Sequence, residues 1–180
     1  MSVNIALLRG INLAGHKPVN MADLRNFLTE LGFVEAQSLL QSGNLVFRNE
    51  GPTGAELEHL LEAEAAKRLN LNTDFFVRTT EEWKRIIGRN PFHEQAERDP
   101  SHLLVMFLKN RHSAKNLEAL QVAIKGPEIV RAVGSAVYII YPNGIGKSRL
   151  TNAVIESKLV TRSTGRNWNT VLKLATLAGI

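Results

Sequence analysis

Arg9, Asn12, Gln41, Ser42 and Asn44 are the first side chains in this sequence able to do chemistry together. A guanidinium offers a planar fork of donors, amides supply both donor and acceptor, and a hydroxyl does either, so the set suits an anion or a nucleobase edge. The residues sit in two short stretches, Arg9-Gly10-Ile11-Asn12 and Gln41-Ser42-Gly43-Asn44. The glycine in each lets backbone or ligand approach closely. A structural reading stands beside this one: Gly43 makes a hairpin turn, Asn44 bonds its own backbone, and Arg9 pairs with Asp23 or Glu30.

Lys147 and Ser148 form a second group, in Gly144-Ile145-Gly146-Lys147-Ser148. Between a strand and a helix, the amides of such a loop can hold phosphate, helped by the positive potential of the helix start. The nucleotide-binding pattern GxxxxGK[ST] requires glycine at 141, where Tyr141 stands, so the stretch is a generic anion site or a plain turn with Ser148 as N-cap. Arg166 and Asn167 belong to a third polar stretch, Thr161 to Thr170, read as leading into a helix with its amides open to an anion. There Arg162 and Arg166 would neutralise phosphate, and Trp168 either stacks on a base or, as lone tryptophans in amphipathic helices do more often, enters the core.

Catalytic constellations are poor. The histidines at 16, 59, 93, 102 and 112 are scattered, and neither an HExxH zinc pattern nor a GxSxG elbow is present. His93, Glu94, Glu97, Asp99 and His102 have metal-ligating chemistry, but a solvated linker accounts for them. No cofactor is expected.

These groups need elements to position them. Val3 to Leu8 is an apolar run that turns polar at Arg9, the pattern of a buried central strand with functional groups at its tip. Asn20 is an N-cap before Met21, Leu24, Leu28 and Leu31, and Gly32 closes that helix. Segments near 36–40 and 45–47 flank the Gln41–Asn44 turn as a hairpin. Thr53 and Glu56 form a capping box before Leu57, Leu60 and Leu61, and Thr73 to Val77 is β-prone. A second box, Thr79 and Glu82, opens a short helix that Asn90-Pro91 stops.

The pattern then restarts. Leu103 to Leu108 ends in Lys109-Asn110-Arg111, Ser113 caps a helix closed by Gly126, and a hairpin turns at Gly134-Ser135. A helix with Leu150, Val154 and Leu159 follows. No final strand is evident; Trp168 to Ala178 instead gives a helix with Trp168, Val171, Leu172 and Ala175 on one face. The expected fold is α+β: two ferredoxin-like βαββαβ halves, 1–92 and 101–180, joined by 93–100, related by internal duplication, with an extra C-terminal helix. The first strand of such a unit is central and antiparallel to the third, which places Arg9 and Asn12 beside Gln41, Ser42 and Asn44.

A chain of 180 residues with 44% hydrophobic and 22% charged residues can bury a core. Without cysteine it has no disulfide or thiolate site, and no apolar run approaches a membrane span. With no signal-peptide pattern at the start, a soluble cytoplasmic protein is expected. The net charge of +5 is uneven: residues 1–100 hold 11 Lys/Arg and 14 Asp/Glu, whereas 101–180 hold 11 and 3, giving −3 and +8. A basic half seeks phosphate or another polyanion, or docks on an acidic one.

The segments Ala6-Leu7-Leu8-Arg9-Gly10-Ile11-Asn12, Met21-Ala22-Asp23-Leu24-Arg25, Gln41-Ser42-Gly43-Asn44-Leu45-Val46-Phe47, Gly144-Ile145-Gly146-Lys147-Ser148 and Arg166-Asn167-Trp168-Asn169-Thr170 together resemble a bacterial family, domain of unknown function 1697. The resemblance implies two related α+β halves and brings no activity, substrate or catalytic residue. Two positions depart from it: Ala14-Gly15 stands where the family more often has a double glycine, and Gly165 where it tends to have threonine.

The leading expectation is a binding protein for a phosphorylated small molecule or nucleic acid, through Arg9, Asn12, Gln41, Ser42, Asn44, Lys147, Ser148, Arg166 and Asn167. The alternatives are an enzyme on a small anionic substrate, with Asp23 the nearest acidic group, and a protein–protein interaction module.

Overall fold

The computed structural model describes residues 1–12 and 18–180. The segment 13–17, with Ala14-Gly15 and His16, lies outside the described residues. The chain divides into two compact units, one of Met1–Arg85 with Lys173–Ile180 and one of Ile86–Leu172.

The first unit runs β1 (Ser2–Leu8), α1 (Met21–Glu30), β2 (Val34–Leu39), β3 (Asn44–Asn49), α2 (Gly54–Leu69) and β4 (Phe75–Thr79), followed by the start of α3 (Thr80–Gly88). The sheet order is β2-β3-β1-β4, antiparallel throughout. β1 is therefore interior, as its unbroken apolar run requires. Ala6 and Leu8 meet Leu24, Phe27, Leu28, Leu57 and Leu61 in one cluster, where Phe33 stacks on Phe47 at 5.1 Å. Each such fully buried side chain contributes roughly 1.5–3 kcal/mol. Ile5 and Leu7, on the opposite face, are also fully buried.

Local signals set the helix ends. Asn20 Oδ1 accepts from the Ala22 amide at 2.8 Å, and Gly32 closes α1 in the left-handed region. Thr79 and Glu82 form the reciprocal capping box, whereas Thr53 makes no side-chain cap bond, so the box expected there is absent. The outer edge of β4 is closed by carboxylates. The amides of Phe75, Val77 and Thr79 donate to Glu62, Glu58 and Glu82 at 3.0, 2.8 and 2.8 Å.

The second unit holds the end of α3, α4 (His93–Arg98), β5 (Leu103–Leu108), α5 (Ala114–Ala123), β6 (Ile129–Val133), β7 (Ala136–Ile140), α6 (Asn152–Leu159), β8 (Ser163–Asn167) and the first half of α7 (Trp168–Leu177). Its sheet order is β6-β7-β5-β8, again antiparallel. The protein is thus α+β, with two four-stranded antiparallel sheets and, among the described residues, seven α-helices. The helix and strand order of the two halves is consistent with duplication.

Four observations here differ from or add to what the sequence led us to expect. A final strand, β8, exists; its sequence Ser-Thr-Gly-Arg-Asn lacks apolar alternation, because polar partners rather than a hydrophobic face hold it. The helix after Gly146 begins only at Asn152, capped by Thr151, and Ile145–Lys147 is a single 3₁₀ turn. On α7, Leu174 is buried and Leu172 is 42% exposed, so the inward face runs through Trp168, Val171, Leu174 and Ala175. Residues 93–98, within the expected linker, form α4.

The two halves repeat in detail. Leu8 pairs with Phe75 and Leu108 with Ser163, so Arg78 opposite Ile5 corresponds to Arg166 opposite Val105. Both arginines donate through Nη1 to the carbonyl of the preceding residue, at 2.7 and 2.8 Å. The residues after them, Thr79 and Asn167, cap α3 and α7. Glu156 accepts from the Ser163 amide as Glu62 does from Phe75.

Two stability effects follow. Val160, at the C-cap of α6, has φ of 55° and is 73% exposed, whereas the same role in α2 falls to Asn70 at 49°. A β-branched residue is strained there, by roughly 1–2 kcal/mol for an L-residue. Val160→Gly is expected to raise the thermal midpoint by about 2–4 °C, read by calorimetry. Tyr138, fully buried, donates to the Ile86 carbonyl at 2.7 Å. Burial pushes its pKa from 10.0 up to about 12, against the opposing charge of Arg89. Its stabilising contribution is full below pH 10 and is lost as pH rises through about 12. Tyr138→Phe should flatten the alkaline loss of stability over that window and cost about 1 kcal/mol at neutral pH by stranding a carbonyl. Denaturant titrations at stepped pH measure both.

Candidate functional site

The tip of β1 is built as the strand register requires. Leu7 pairs with Asn44, and the Leu8 amide donates to the Gly43 carbonyl at 2.8 Å. This brings Arg9, Asn12, Gln41, Ser42 and Asn44 to one end of the first sheet. Their polar groups then turn on the protein itself. Asn12 Nδ2 donates to the carbonyls of Gln41 at 2.6 Å and Val19 at 3.1 Å, and its Oδ1 accepts from the Val19 amide at 2.6 Å. Asn44 is fully buried and donates to the Leu39 carbonyl and to Ser42 Oγ, each at 2.9 Å. Arg9 lies 4.0 Å from Asp74, rather than beside Asp23 or Glu30, and its carbonyl accepts from Thr73 Oγ1. Gln41 is exposed, and its backbone carbonyl serves Asn12. The asparagines are the braces of the loop.

Arg166 and Asn167 have a different setting. Arg166 is 8% exposed, donates to Thr164 Oγ1 and the Gly165 carbonyl, and has its pKa lowered to about 10 by burial. It stays charged at neutral pH and is withheld from solvent. Asn167 Oδ1 caps α7 by accepting from the Thr170 amide at 3.0 Å. Because 163–167 is a strand, its amides are not the open helix start expected from the sequence. Trp168 is buried.

Lys147 and Ser148 line an open groove of about 360 Å³ together with Lys125, Gly126, Pro127, Glu128, Asn143 and Arg149. The hairpin β6–β7 explains the assembly. Ile129 pairs with Ile140, which sets the 125–128 turn beside the loop leaving Tyr141. That loop is tied at its base, since Tyr141 Oη donates to the Leu150 carbonyl at 3.0 Å and the Tyr141 amide to the His102 carbonyl at 2.9 Å. Burial, and then the charge of Glu128, raises the pKa of Tyr141, so its hydroxyl remains a donor. Within the loop the amides of Gly144, Lys147 and Ser148 are spent on turn bonds. Those three amides are not available to an anion, and the charge of the groove comes from its side chains.

Ser148 Oγ donates to Glu128 and accepts from the Leu150 amide. Lys125, Lys147 and Arg149 make no ion pair among the described residues. With Glu128, the lining carries a formal charge of +2. Only Lys147 and Ser148 of this set were legible beforehand. Lys125, Glu128, Asn143 and Arg149 were findable from the Gly134-Ser135 hairpin, which folds positions 128 and 141 side by side.

Asp99 and His102 pair at 2.5 Å, and Ser101 donates to the same carboxylate. The hydrogen bond from Ser101, and then the neighbouring His102, hold the Asp99 carboxyl below its usual range. Among the described residues no cluster of histidine and carboxylates is arranged to hold a metal ion, and no helix is long and apolar enough to cross a membrane. Asp23 is exposed in the first turn of α1, away from any reacting group the geometry identifies.

A family model described as a protein of unknown function (DUF1697) matches residues 1–138, three quarters of the chain. The chain belongs to this family. The match covers the β1 tip and the 125–128 wall of the groove, and it ends before Asn143, Lys147, Ser148 and Arg149. The conserved bacterial protein SP0830 from Streptococcus pneumoniae has a similar structure, with a TM-score of 0.78 and 22% identity over 98% of both chains. At that identity the likeness speaks for the fold. No curated protein matches the sequence.

Proposed function

We propose that this member of the family binds a phosphate-bearing ligand through the groove between the 125–128 turn and the 143–149 loop. One observation carries the reading: Lys125, Lys147 and Arg149 line the groove without acidic partners, while its single carboxylate, Glu128, is engaged with Ser148. Three cations held close together raise one another's cost until an anion enters. Asn143 and Ser148 supply directional bonds. We assign Arg9, Gln41 and Ser42 to a second, weaker polar surface at the β1 tip. Asn12 and Asn44 brace that tip, whereas Arg166 and Asn167 are engaged within β8 and at the start of α7.

We read each half as a ferredoxin-like unit, 1–92 and 101–180 with 93–100 between them. The βαββαβ order and the interior position of β1 and β5 support this reading.

Calorimetric titration with inorganic phosphate, and a salt series on single- and double-stranded oligonucleotides, test the function. Phosphate heat that vanishes with added salt supports the groove. Oligonucleotide binding with a steep salt slope extends it to nucleic acid. Absence of both at low salt removes the proposal. An interaction module is the second reading, favoured by the saturation of Asn12 and Asn44 within the protein.

A further inference from the structure

Four strand edges bound the two sheets: β2 and β4 in the first, β6 and β8 in the second. A bare edge pairs readily with another chain, and proteins close such edges with bulges or charges. Three of the four are closed. The β4 amides are taken by glutamates, as described. On β8, the Ser163 amide meets Glu156, its carbonyl meets Asn152, and the Gly165 carbonyl meets Arg166. On β2 the register shifts between Val34 and Gln37, with Glu35 at φ 54°.

β6 has none of these devices among the described residues. Its register with β7 is regular from Ile129–Ile140 to Val133–Ala136. A two-residue hairpin makes Val133–Ala136 a mutually bonded pair, so Ile129, Arg131 and Val133 bond inward and Val130 and Ala132 turn their backbone groups out. Val130 is buried and its carbonyl meets Gln121 Nε2 at 3.5 Å, so the open stretch of this edge centres on Ala132, whose backbone groups meet no side chain among the described residues.

This edge starts where the cationic groove ends, since Glu128 lines the groove and Ile129 opens β6. Large apolar side chains are exposed along the same segments: Ile129 at 47% and Ile145 at 54%. An inorganic anion has no use for them, nor for the outward backbone amide and carbonyl at Ala132. A polypeptide uses both.

We propose that β6 and the groove form one docking site for an extended peptide bearing an acidic or phosphorylated residue. The peptide adds as a fifth strand on β6, and Lys125, Lys147 and Arg149 hold its anionic side chain. The proposal rests on the anion-binding reading of the groove. Charge complementarity selects this occupant. Two copies of β6 paired about its centre would set Arg131 against itself and bring two halves of +8 together, and like charges directly opposite destabilise a strand pair.

Fluorescence anisotropy on the full chain tests this with a short labelled peptide of alternating valine and threonine carrying one phosphoserine. An aspartate version, an uncharged serine version and a version N-methylated at alternate amides accompany it. The charged peptides should bind, the phosphoserine one more tightly if phosphate is the natural source. The serine and N-methylated peptides should bind at least about tenfold more weakly, as strand addition requires. Ala132→Pro, which deletes one outward amide, should weaken the peptide likewise and leave inorganic phosphate binding unchanged. If that variant fails to fold, the N-methylated peptide decides.

Phosphate binding without any gain from the peptide backbone would overturn the inference and leave the groove standing. Loss of both would remove the two together. Concentration-dependent dimers abolished by Ala132→Pro would hand the edge to a second copy. Oligonucleotide binding with peptide indifference would hand the groove to nucleic acid. Either result overturns the peptide.

Discussion

Gly43→Ala should lower the unfolding free energy by about 3 kcal/mol. Two costs combine. Gly43 has φ of 72°, a conformation that costs an L-residue roughly 1–2 kcal/mol. A Cβ there would also meet Ile11 Cδ1 at 2.6 Å and Leu8 Cβ at 2.8 Å. Leu8 is fixed by the central strand, so the new methyl must displace the turn that delivers the Gly43 carbonyl to the Leu8 amide. Gly10→Ala is the internal control: φ is 63°, yet nothing lies within 4 Å of the added carbon. It should pay the dihedral cost alone. Urea titrations of both variants measure the difference; equal midpoints would mean that close approach of β1 to the turn contributes nothing.

Lys147→Glu is expected to weaken inorganic phosphate binding by on the order of tenfold or more while leaving the unfolding free energy from urea titration within about 0.5 kcal/mol of the parent, because the residue is exposed and makes no ion pair among the described residues. The formal charge of the groove falls from +2 to zero. Lys147→Ala should show a smaller loss, and added salt should narrow the gap between them. Glu128→Gln should act in the opposite direction, tightening phosphate by removing the one opposing charge. Gly126 gives a geometric check, since a Cβ there would lie 2.5 Å from Glu128 Oε2 and push the carboxylate from its place. If Lys147→Glu and Glu128→Gln move phosphate affinity in the same direction, the groove is not the site.

Much of the fold was legible because its signals are local. The β1 run, the Asn20 and Ser113 caps, the Thr79–Glu82 box and the Gly134-Ser135 hairpin all arise from residues a few positions apart. β8 was missed for the converse reason. Ser163, Gly165 and Asn167 are strand residues because β5 lies beside them and Glu156 takes the first amide. Their own propensities favour a turn. The helix expected at Lys147 failed because Gly144, Ile145 and Ser148 close a 3₁₀ turn first.

The candidate site divides along the same line. Residue types alone marked Asn12, Asn44, Arg166 and Lys147 as chemically capable, and they cannot separate a side chain that meets solvent from one that meets a carbonyl. Asn12 and Asn44 are spent on Gln41, Val19 and Leu39; Lys147 is not spent.

By itself the sequence determined an α+β chain with a repeated strand–helix order, an acidic and a basic half, and the polar tip of β1, since each depends on composition or short-range periodicity. Tertiary structure alone decided that Arg166 is interior, that Lys125 and Glu128 join Lys147 across the hairpin, and that β6 keeps a regular register without a bulge. Those outcomes depend on which distant backbone groups satisfy one another, and hydrogen-bond partners far apart in the chain leave no local pattern to read.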